Sequence, residues 1–390
     1  MDTVRIDAKA ARRLREGHPW VFSNQVREVL GAPGDGEVVR VEAGPSQDLG
    51  TAFYNGHSHV ALRHLSFEGE IPDELFFEKR LRTAVALRER LHPGSDSWRA
   101  CHGEADLIPG LFVDRYGDCC VVQAFSAGID RLLPVVARAL QEVLGSASVV
   151  ERDTSHVRAL EGLPECTRVL MGETPASRVV TLPPLVLDVH PMGGQKTGAF
   201  LDQRENRVAA ARHARGRDVY EAFCNAGAFG ILAAREGARS VVGVDVSAEA
   251  VAEARRNASL NGVEGLCQHV QADATKDMDA RHRRRERFGL VIIDPPSFTR
   301  SRKHVPQARR ALRDLNRRAI TLVEPGGVLV SSDCSHHVLE ETFLDVLGEA
   351  ALAAGRRLKV LELRSQSPDH PVLLAMPESR YLKCVIAQVV

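Results

Sequence analysis

The sequence predicts an α/β fold: a doubly wound parallel sheet in the C-terminal half, preceded by a β-rich N-terminal module and a central α+β segment. Three observations carry this. An apolar strand, Val219–Phe223, runs into the small-residue turn Ala226-Gly227-Ala228, and a second strand, Val241–Val244, ends in Asp245. Beyond about residue 185, apolar strands alternate with helical stretches at the spacing of parallel crossovers. Residues 1 to 70 instead show short alternating strands with turn punctuation, Gly31-Ala32-Pro33-Gly34-Asp35-Gly36 and Asn55-Gly56 among them.

In chain order, the first module (1–70) contains strands at Val38–Val41, Gly50–Tyr54 and His59–Leu62. The central segment (71–185) starts with helical spacing from Pro72 to Leu91. Strands follow at Leu111–Val113 and Cys119–Gln123, then a helix over Leu132–Leu144 and a strand at Ser148–Glu151. In the third segment (186–390), Ser247 is placed to cap a helix through Asn261, and strands Leu290–Ile293 and Val328–Ser331 close the parallel set.

The chain has 390 residues, 44% of them hydrophobic, and a formal net charge of zero. That supplies core for two or three domains and leaves affinity for a polyanion to local clustering. Between Arg281 and Arg318 stand 13 Lys or Arg against Glu286, Asp294 and Asp314. Such a run is as often a solvated helix face as a binding surface, and its place around Asp294 favours nucleic acid. Eight cysteines without a Cys-x-x-Cys pair argue against structural zinc and secreted-type disulfides, so no metal is expected and a cytoplasmic location is. No apolar run has membrane-spanning length, and no membrane partner is expected.

The turn and the strand-end acid suggest a nucleoside cofactor. An acidic residue about twenty positions past the turn can accept both ribose hydroxyls. Only Gly227 and Gly230 remain of a three-glycine fingerprint, so a methionine tail fits better than a pyrophosphate, and S-adenosylmethionine (SAM) is expected over NAD. Asp273, after the next strand, is placed to accept an adenine amino proton. Gly-x-Lys-Thr at 194–197 lacks the spacing of a phosphate loop, which excludes an NTPase.

Asp294-Pro295-Pro296 ends an apolar strand, where open α/β sheets bind ligands. Two prolines stiffen the loop, giving a shelf for a flat base held at its edge by Asp294 and stacked on Phe298, with Arg300, Arg302 and Lys303 for phosphates. Cys334 follows the strand ending at Ser331 and precedes an expected helix whose dipole would favour a thiolate. A thiolate adding to carbon 6 of a pyrimidine makes carbon 5 nucleophilic enough to take a methyl group.

These residues resemble the bacterial large-subunit ribosomal RNA methyltransferase family that contains the 23S rRNA cytosine-5 methyltransferase I, over essentially the whole chain. Carrying the resemblance are Gly194-Gln195-Lys196-Thr197-Gly198, Leu201 to Arg207, Asp369-His370-Pro371, Tyr381-Leu382-Lys383 and Gly17-His18-Pro19-Trp20-Val21-Phe22. It implies an RNA-binding PUA β-barrel, a central β-β-α-β-β type domain and a class I methyltransferase fold. It further implies that Lys196, Thr197, Gly198, Phe200, Asp202, Gln203 and Arg204 close over the methionine end of SAM. Phe223, Cys224, Asn225, Ala226, Gly227, Asp245, Asp273 and Asp294 then line the cofactor, with their neighbours Val246, Ser247, Ala274 and Pro295. Two departures stand out: Asn225-Ala226-Gly227-Ala228-Phe229 replaces the family's usual Tyr-Thr-Gly-Gly-Phe, and Ser297 replaces a common Lys.

The expected function is SAM-dependent formation of 5-methylcytosine in 23S rRNA, naked or in early assembly, with Cys334 and Asp294 catalytic and S-adenosylhomocysteine as product. The family resemblance is compatible with a homodimer. The alternatives are a guanine-N7 rRNA methyltransferase, which needs no thiol, and a non-catalytic RNA-binding or assembly protein.

Overall fold

Backbone hydrogen bonding sorts the chain into separate sheets. The computed structural model describes residues 1–44, 47–194, 196–299 and 301–390, which divide into two units. The first holds Met1–Leu182, Val189–Leu201 and Pro368–Ser379; the second holds Pro183–Asp188, Asp202–Ser367 and Arg380–Val390. Among the described residues no helix is long and apolar enough to cross a membrane.

In the first unit, six strands between Thr3 and Ser66 form one sheet, with helix Ala8–Arg15 packed through Ala10, Ala11 and Leu14. That helix, with the strands Thr3–Ile6 and Val26–Leu30, goes beyond the strands expected there. A five-stranded sheet follows, from Ser97–His102 to Cys166–Met171, covered by helices Glu74–Leu91 and Ala127–Leu144. Buried Arg63 joins the two layers, reaching Glu104 at 3.1 Å and Glu161 at 2.9 Å. Arg88, fully buried, forks onto Asp106 at 2.6 and 2.7 Å and donates to the Asp369 carbonyl at 2.8 Å. One guanidinium thereby ties the 368–379 segment to the middle sheet.

Elements of the second unit are labelled in order here. They are α1 (Arg204–Ala211), β1 (Asp218–Ala222), α2 (Ala228–Arg235), β2 (Ser240–Asp245), α3 (Ala248–Leu260), β3 (Cys267–Gln271) and α4 (Ala274–Arg283). They continue with β4 (Phe288–Ile293), α5 (Val305–Leu322), β5 (Val323–Asp333), α6 (Glu340–Ala353), β6 (Leu358–Arg364) and β7 (Lys383–Val389). The sheet order is β3-β2-β1-β4-β5-β7-β6; β1 to β5 pair in parallel, and β7 is antiparallel to both neighbours. This is the doubly wound sheet expected of the class. Its middle strands read as continuous apolar runs because helices cover both faces.

One charge interrupts the apolar run of β1. Glu221 is buried, and its Oε2 accepts a hydrogen bond from Gly230 N at 2.9 Å, so it satisfies an end donor of α2 in place of a side-chain cap. A Cβ at Gly230 would sit 2.6 Å from that oxygen, which explains the glycine. Burial pushes the carboxyl up from its ordinary 4.5 to about 8, opposed by the Gly230 amide and Arg207. A raised folded-state value means that stability is greatest below about 4.5 and is lost as pH rises through about 8. Urea denaturation is therefore expected to show the wild type losing stability relative to Glu221→Gln across that window; a gain would contradict the burial argument.

Candidate functional site

Register sets the candidate site. In β1, Ala222 pairs with Val244 on one side and with Ile293 on the other, and Ile293 pairs with Ser331. The next residues, Phe223, Asp245, Asp294 and Ser332, therefore emerge side by side at the carboxyl edge of the sheet. Cys334 lies two positions beyond Ser332 on the same strand end.

The turn after β1 is tightly specified. Phe223, Asn225 and Gly227 all take positive φ, 59°, 47° and 76°. For the phenylalanine that conformation is costly, and the surroundings must hold it. Sequence reasoning assigned the bare backbone of Gly227 to ligand approach, but a Cβ there would meet His269 Nε2 at 2.8 Å and Ala254 Cβ at 3.0 Å. The missing side chain thus serves the backbone and the packing beneath the turn. Cys224 likewise faces inward, its thiol pushed up by burial and beside the carboxyls of Glu221 and Asp245.

Asp245 stitches the edge together. Its Oδ2 accepts from Asn225 N at 2.9 Å and its Oδ1 from Ser247 N at 3.0 Å. Each carboxylate oxygen retains acceptor capacity for a ribose hydroxyl. Val246 is exposed, whereas Ser247 caps α3 through Ala250 N at 3.1 Å, as expected. Asp273 caps α4, accepting from Lys276 N at 2.9 Å and from Thr275 Oγ1 at 2.5 Å; those bonds, Thr275 first, hold its carboxyl below the ordinary range. It is an exposed anion above buried Ala274, suited to accepting a proton donor and not to giving one.

The lead-in residues Asp202, Gln203 and Arg204 form a buried group at the start of α1. Tyr381 donates to Asp202 Oδ2 at 2.8 Å, and Asn206 donates to Gln203 Oε1 at 2.6 Å. Arg207, also buried, is pulled down by burial and supported by Asp202, Asp294 and Glu221. Gln203 Nε2 is buried with no hydrogen-bond partner among the described residues. An orphan buried donor beside this charge cluster fits a bound acceptor such as an amino-acid carboxylate. Glu221 and Arg207 were not singled out from sequence; the signal was a lone acid inside an apolar strand.

Lys196, Thr197, Gly198 and Phe200 belong to the first unit. Thr197 is buried and donates to Asp114 Oδ2 at 2.5 Å, while Arg99 grips the same carboxylate at 2.5 and 2.9 Å. Tyr116 Oη sits 3.1 Å from Thr197 Oγ1 and accepts from Ala199 N at 3.0 Å. A Cβ on Gly198, whose φ is 139°, would stand 3.3 Å from the Tyr116 ring. Thr197 is thus held within the first unit by Asp114 and Tyr116. Lys196 Nζ lies 4.3 Å from the Phe200 ring centroid.

The Asp-Pro-Pro loop and the Cys334 segment are laced through Ser335. Its hydroxyl takes bonds from Ser297 Oγ at 3.1 Å and Phe298 N at 3.3 Å, while its carbonyl accepts from Lys383 Nζ at 2.7 Å. Lys383 also pairs with Asp333 at 2.9 Å. Cys334, half-buried, is therefore clamped on both flanks by one buried lysine. The expected helix dipole is not what acts here, because α6 starts only at Glu340 and carries Glu340 and Glu341 in its first turn. Pro295 is buried and Pro296 exposed; Phe298 is half-buried against the core, which leaves only part of its ring to a base.

Of the expected phosphate contacts, Lys303 is exposed, Arg302 opens a short 3-10 turn, and Arg300 lies outside the described residues. The basic run does not flank the loop as a whole. Arg281 to Arg287 lead into the opposite end of β4, a six-residue strand about 20 Å long. Several of the cations are already paired, Arg281 with Asp277, Arg309 with Glu349 and Arg318 with Asp279.

Comparison with known proteins agrees with this architecture. Residues 4–67 match a PUA-like domain, and residues 179–375 match an S-adenosylmethionine-dependent methyltransferase domain. Ribosomal RNA large subunit methyltransferase I of Aeromonas hydrophila is 37% identical over 97% of this chain and 96% of its own. The Tolumonas auensis protein of that name is 34% identical over 100% and 99%. A SAM-dependent methyltransferase from Streptococcus mutans superposes with a TM-score of 0.84 at 20% identity, covering 100% of both chains. A methyltransferase solved with S-adenosylhomocysteine gives 0.86 at 21%, with the same coverage. The chain belongs to the ribosomal RNA large subunit methyltransferase I family, SAM-dependent enzymes built here on a class I fold behind an N-terminal PUA-like domain.

Proposed function

We propose that this protein methylates carbon 5 of a cytosine in 23S rRNA, with Cys334 as nucleophile and Asp294 holding the edge of the base. The observation that carries the reading is a half-buried cysteine fixed between Asp333 and Ser335 on a strand end beside the Asp-Pro-Pro loop. Asp245 is assigned to the ribose, Asp273 to the adenine amino group, and Asp202, Gln203 and Arg204 to the methionine end. SAM, when bound, supplies an electrophilic methyl group.

The thiolate of Cys334 adds to carbon 6, forming a sulfur–carbon bond and moving the ring's double-bond electrons toward carbon 5. Asp294, at the adjoining strand end, holds the edge of the ring in register. Carbon 5 takes the methyl group as the donor's sulfur–methyl bond breaks, its electron pair staying on sulfur in S-adenosylhomocysteine. The carbon 5 proton then leaves, the electrons of that bond restore the ring double bond, and the thiolate departs from carbon 6. Lys383 holds Asp333 and the Ser335 carbonyl, which fixes the backbone on both flanks of the cysteine. Ser297 contributes a loop contact through its hydroxyl and not a second thiol.

The substrate assignment rests on the named relatives and the PUA-like match. A cytosine inside a helix is out of reach of a strand-end cysteine, so the target is a loop or flipped base, in naked or early-assembling rRNA. Eight cysteines without a Cys-x-x-Cys pair suit a reducing cytoplasm.

Turnover of Cys334→Ser is expected to fall on the order of a thousandfold or more, with SAM affinity by calorimetry unchanged. Retention within a few fold would reject the nucleophile and favour guanine N7. Asp245→Ala is expected to weaken SAM binding roughly 10- to 100-fold, the size of one or two lost hydrogen bonds to a charged group. Unchanged affinity would remove Asp245 from the cofactor site.

A further inference from the structure

The loops at the two edges of the second unit's sheet differ in charge. At the carboxyl edge, residues 223–227, 245–247, 272–276, 294–304, 333–340, 365–367 and 380–383 contain six Lys or Arg and five carboxylates. At the amino edge, residues 212–218, 235–240, 261–267, 283–288, 323–327 and 354–358 contain eleven arginines and five carboxylates. A chain of zero net charge has thus gathered a surplus of six positive charges at the edge away from its candidate chemistry.

Hydrogen bonds from backbone and from arginine side chains hold these loops against one another. Gly216 N donates to the Gly237 carbonyl at 2.8 Å, Arg239 N to the Arg217 carbonyl at 2.8 Å, and Arg217 Nη1 to the Gly289 carbonyl at 3.1 Å. Arg356 Nη2 reaches the Val323 carbonyl at 2.9 Å on the neighbouring strand. Some of the charge is neutralised locally: Arg239 pairs with Asp218, and Arg284 pairs with Glu286. The rest is not. Arg212, Arg215, Arg283, Arg285 and Arg357 are exposed and make no ion pair among the described residues. Unpaired guanidinium groups on neighbouring rigid loops repel one another, an arrangement that a polyanion relieves.

We propose that this amino edge is a second RNA-binding surface, which grips backbone phosphates of the substrate about 20 Å from the reacting base, roughly the length of a six-residue strand. The inference rests on the reading of an RNA substrate. Phosphate contacts of this kind position a large RNA without reading its sequence, and they release counterions. They also answer a need at the carboxyl edge, where the loops are close to charge balance and cannot by themselves hold a polyanion.

The test compares wild type with the full-length triple variant Arg215→Gln, Arg283→Gln, Arg285→Gln, and with Arg212→Gln, Arg357→Gln as an independent set. Each binds two probes over a range of salt: a long base-paired transcript of large-subunit rRNA, and a single-stranded hexanucleotide that contains cytosine. SAM affinity and thermal midpoint report folding. The triple variant is expected to bind the transcript at least tenfold more weakly, with the slope of log K against log salt reduced by about 2 to 3, close to 0.9 per phosphate contact. Hexanucleotide and SAM binding should stay as in wild type. Unchanged transcript affinity and slope in both variants would overturn the proposal and leave the edge to solvent or to a protein partner. Equal loss on both probes would overturn it as well. Failure of the wild type to methylate cytosine, with transcript binding still lost in the variants, would reject the cytosine reading and leave this surface standing.

Discussion

Ala222 faces Val244 across one ladder and Ile293 across the other, and this shared register aligns everything proposed for the chemistry. These parallel strands leave the sheet close to one another, so one strand end delivers the turn, a second delivers Asp245 and a third delivers Asp294. The ladder from Ile293 to Ser331 extends the line toward Cys334. A one-residue slip would turn the side chains of a strand to the opposite face. The apolar packing of Val219, Val291, Leu329 and their neighbours, all fully or nearly fully buried, forbids that slip.

Around this frame the molecule buries charge where the chain is irregular. Glu221 serves the start of α2, Arg88 binds the 368–379 segment, and Lys383 clamps the segment that carries Cys334. In each case a side chain from a regular element supplies hydrogen bonds to backbone that has no ladder partner. Burying the two cations is costly unless every partner is present, whereas Glu221, pushed up to about 8, is buried mostly as the neutral acid. Their cost is offset by fixing loops in one conformation, and a preorganised site needs such loops.

Much of this was readable from the chain. Asp245 and Asp294 announced themselves as acids terminating apolar strands, and Ser247 as a cap ahead of a helical pattern. What could not be read depends on partners distant in sequence. Ser335 and Lys383 are 48 residues apart, and only the antiparallel return of β7 beside β5 brings them together. Thr197 meets Asp114 across 83 residues, a buried contact that spacing in the sequence does not announce. The basic run looked continuous because β4 is invisible to charge counting. A strand crossing the sheet separates residues that are near neighbours in sequence.

The most direct measurement uses rRNA substrate in which cytidine is replaced by 5-fluorocytidine, incubated with SAM and the protein and analysed by intact mass and peptide mapping. Fluorine cannot leave carbon 5 as a proton does, so a thiolate that has added to carbon 6 stays attached after methyl transfer. The expected result is a stable protein–RNA adduct whose modified peptide contains Cys334. Methylation without an adduct, or an adduct mapped to another cysteine, would contradict the covalent role of the Cys334 sulfur.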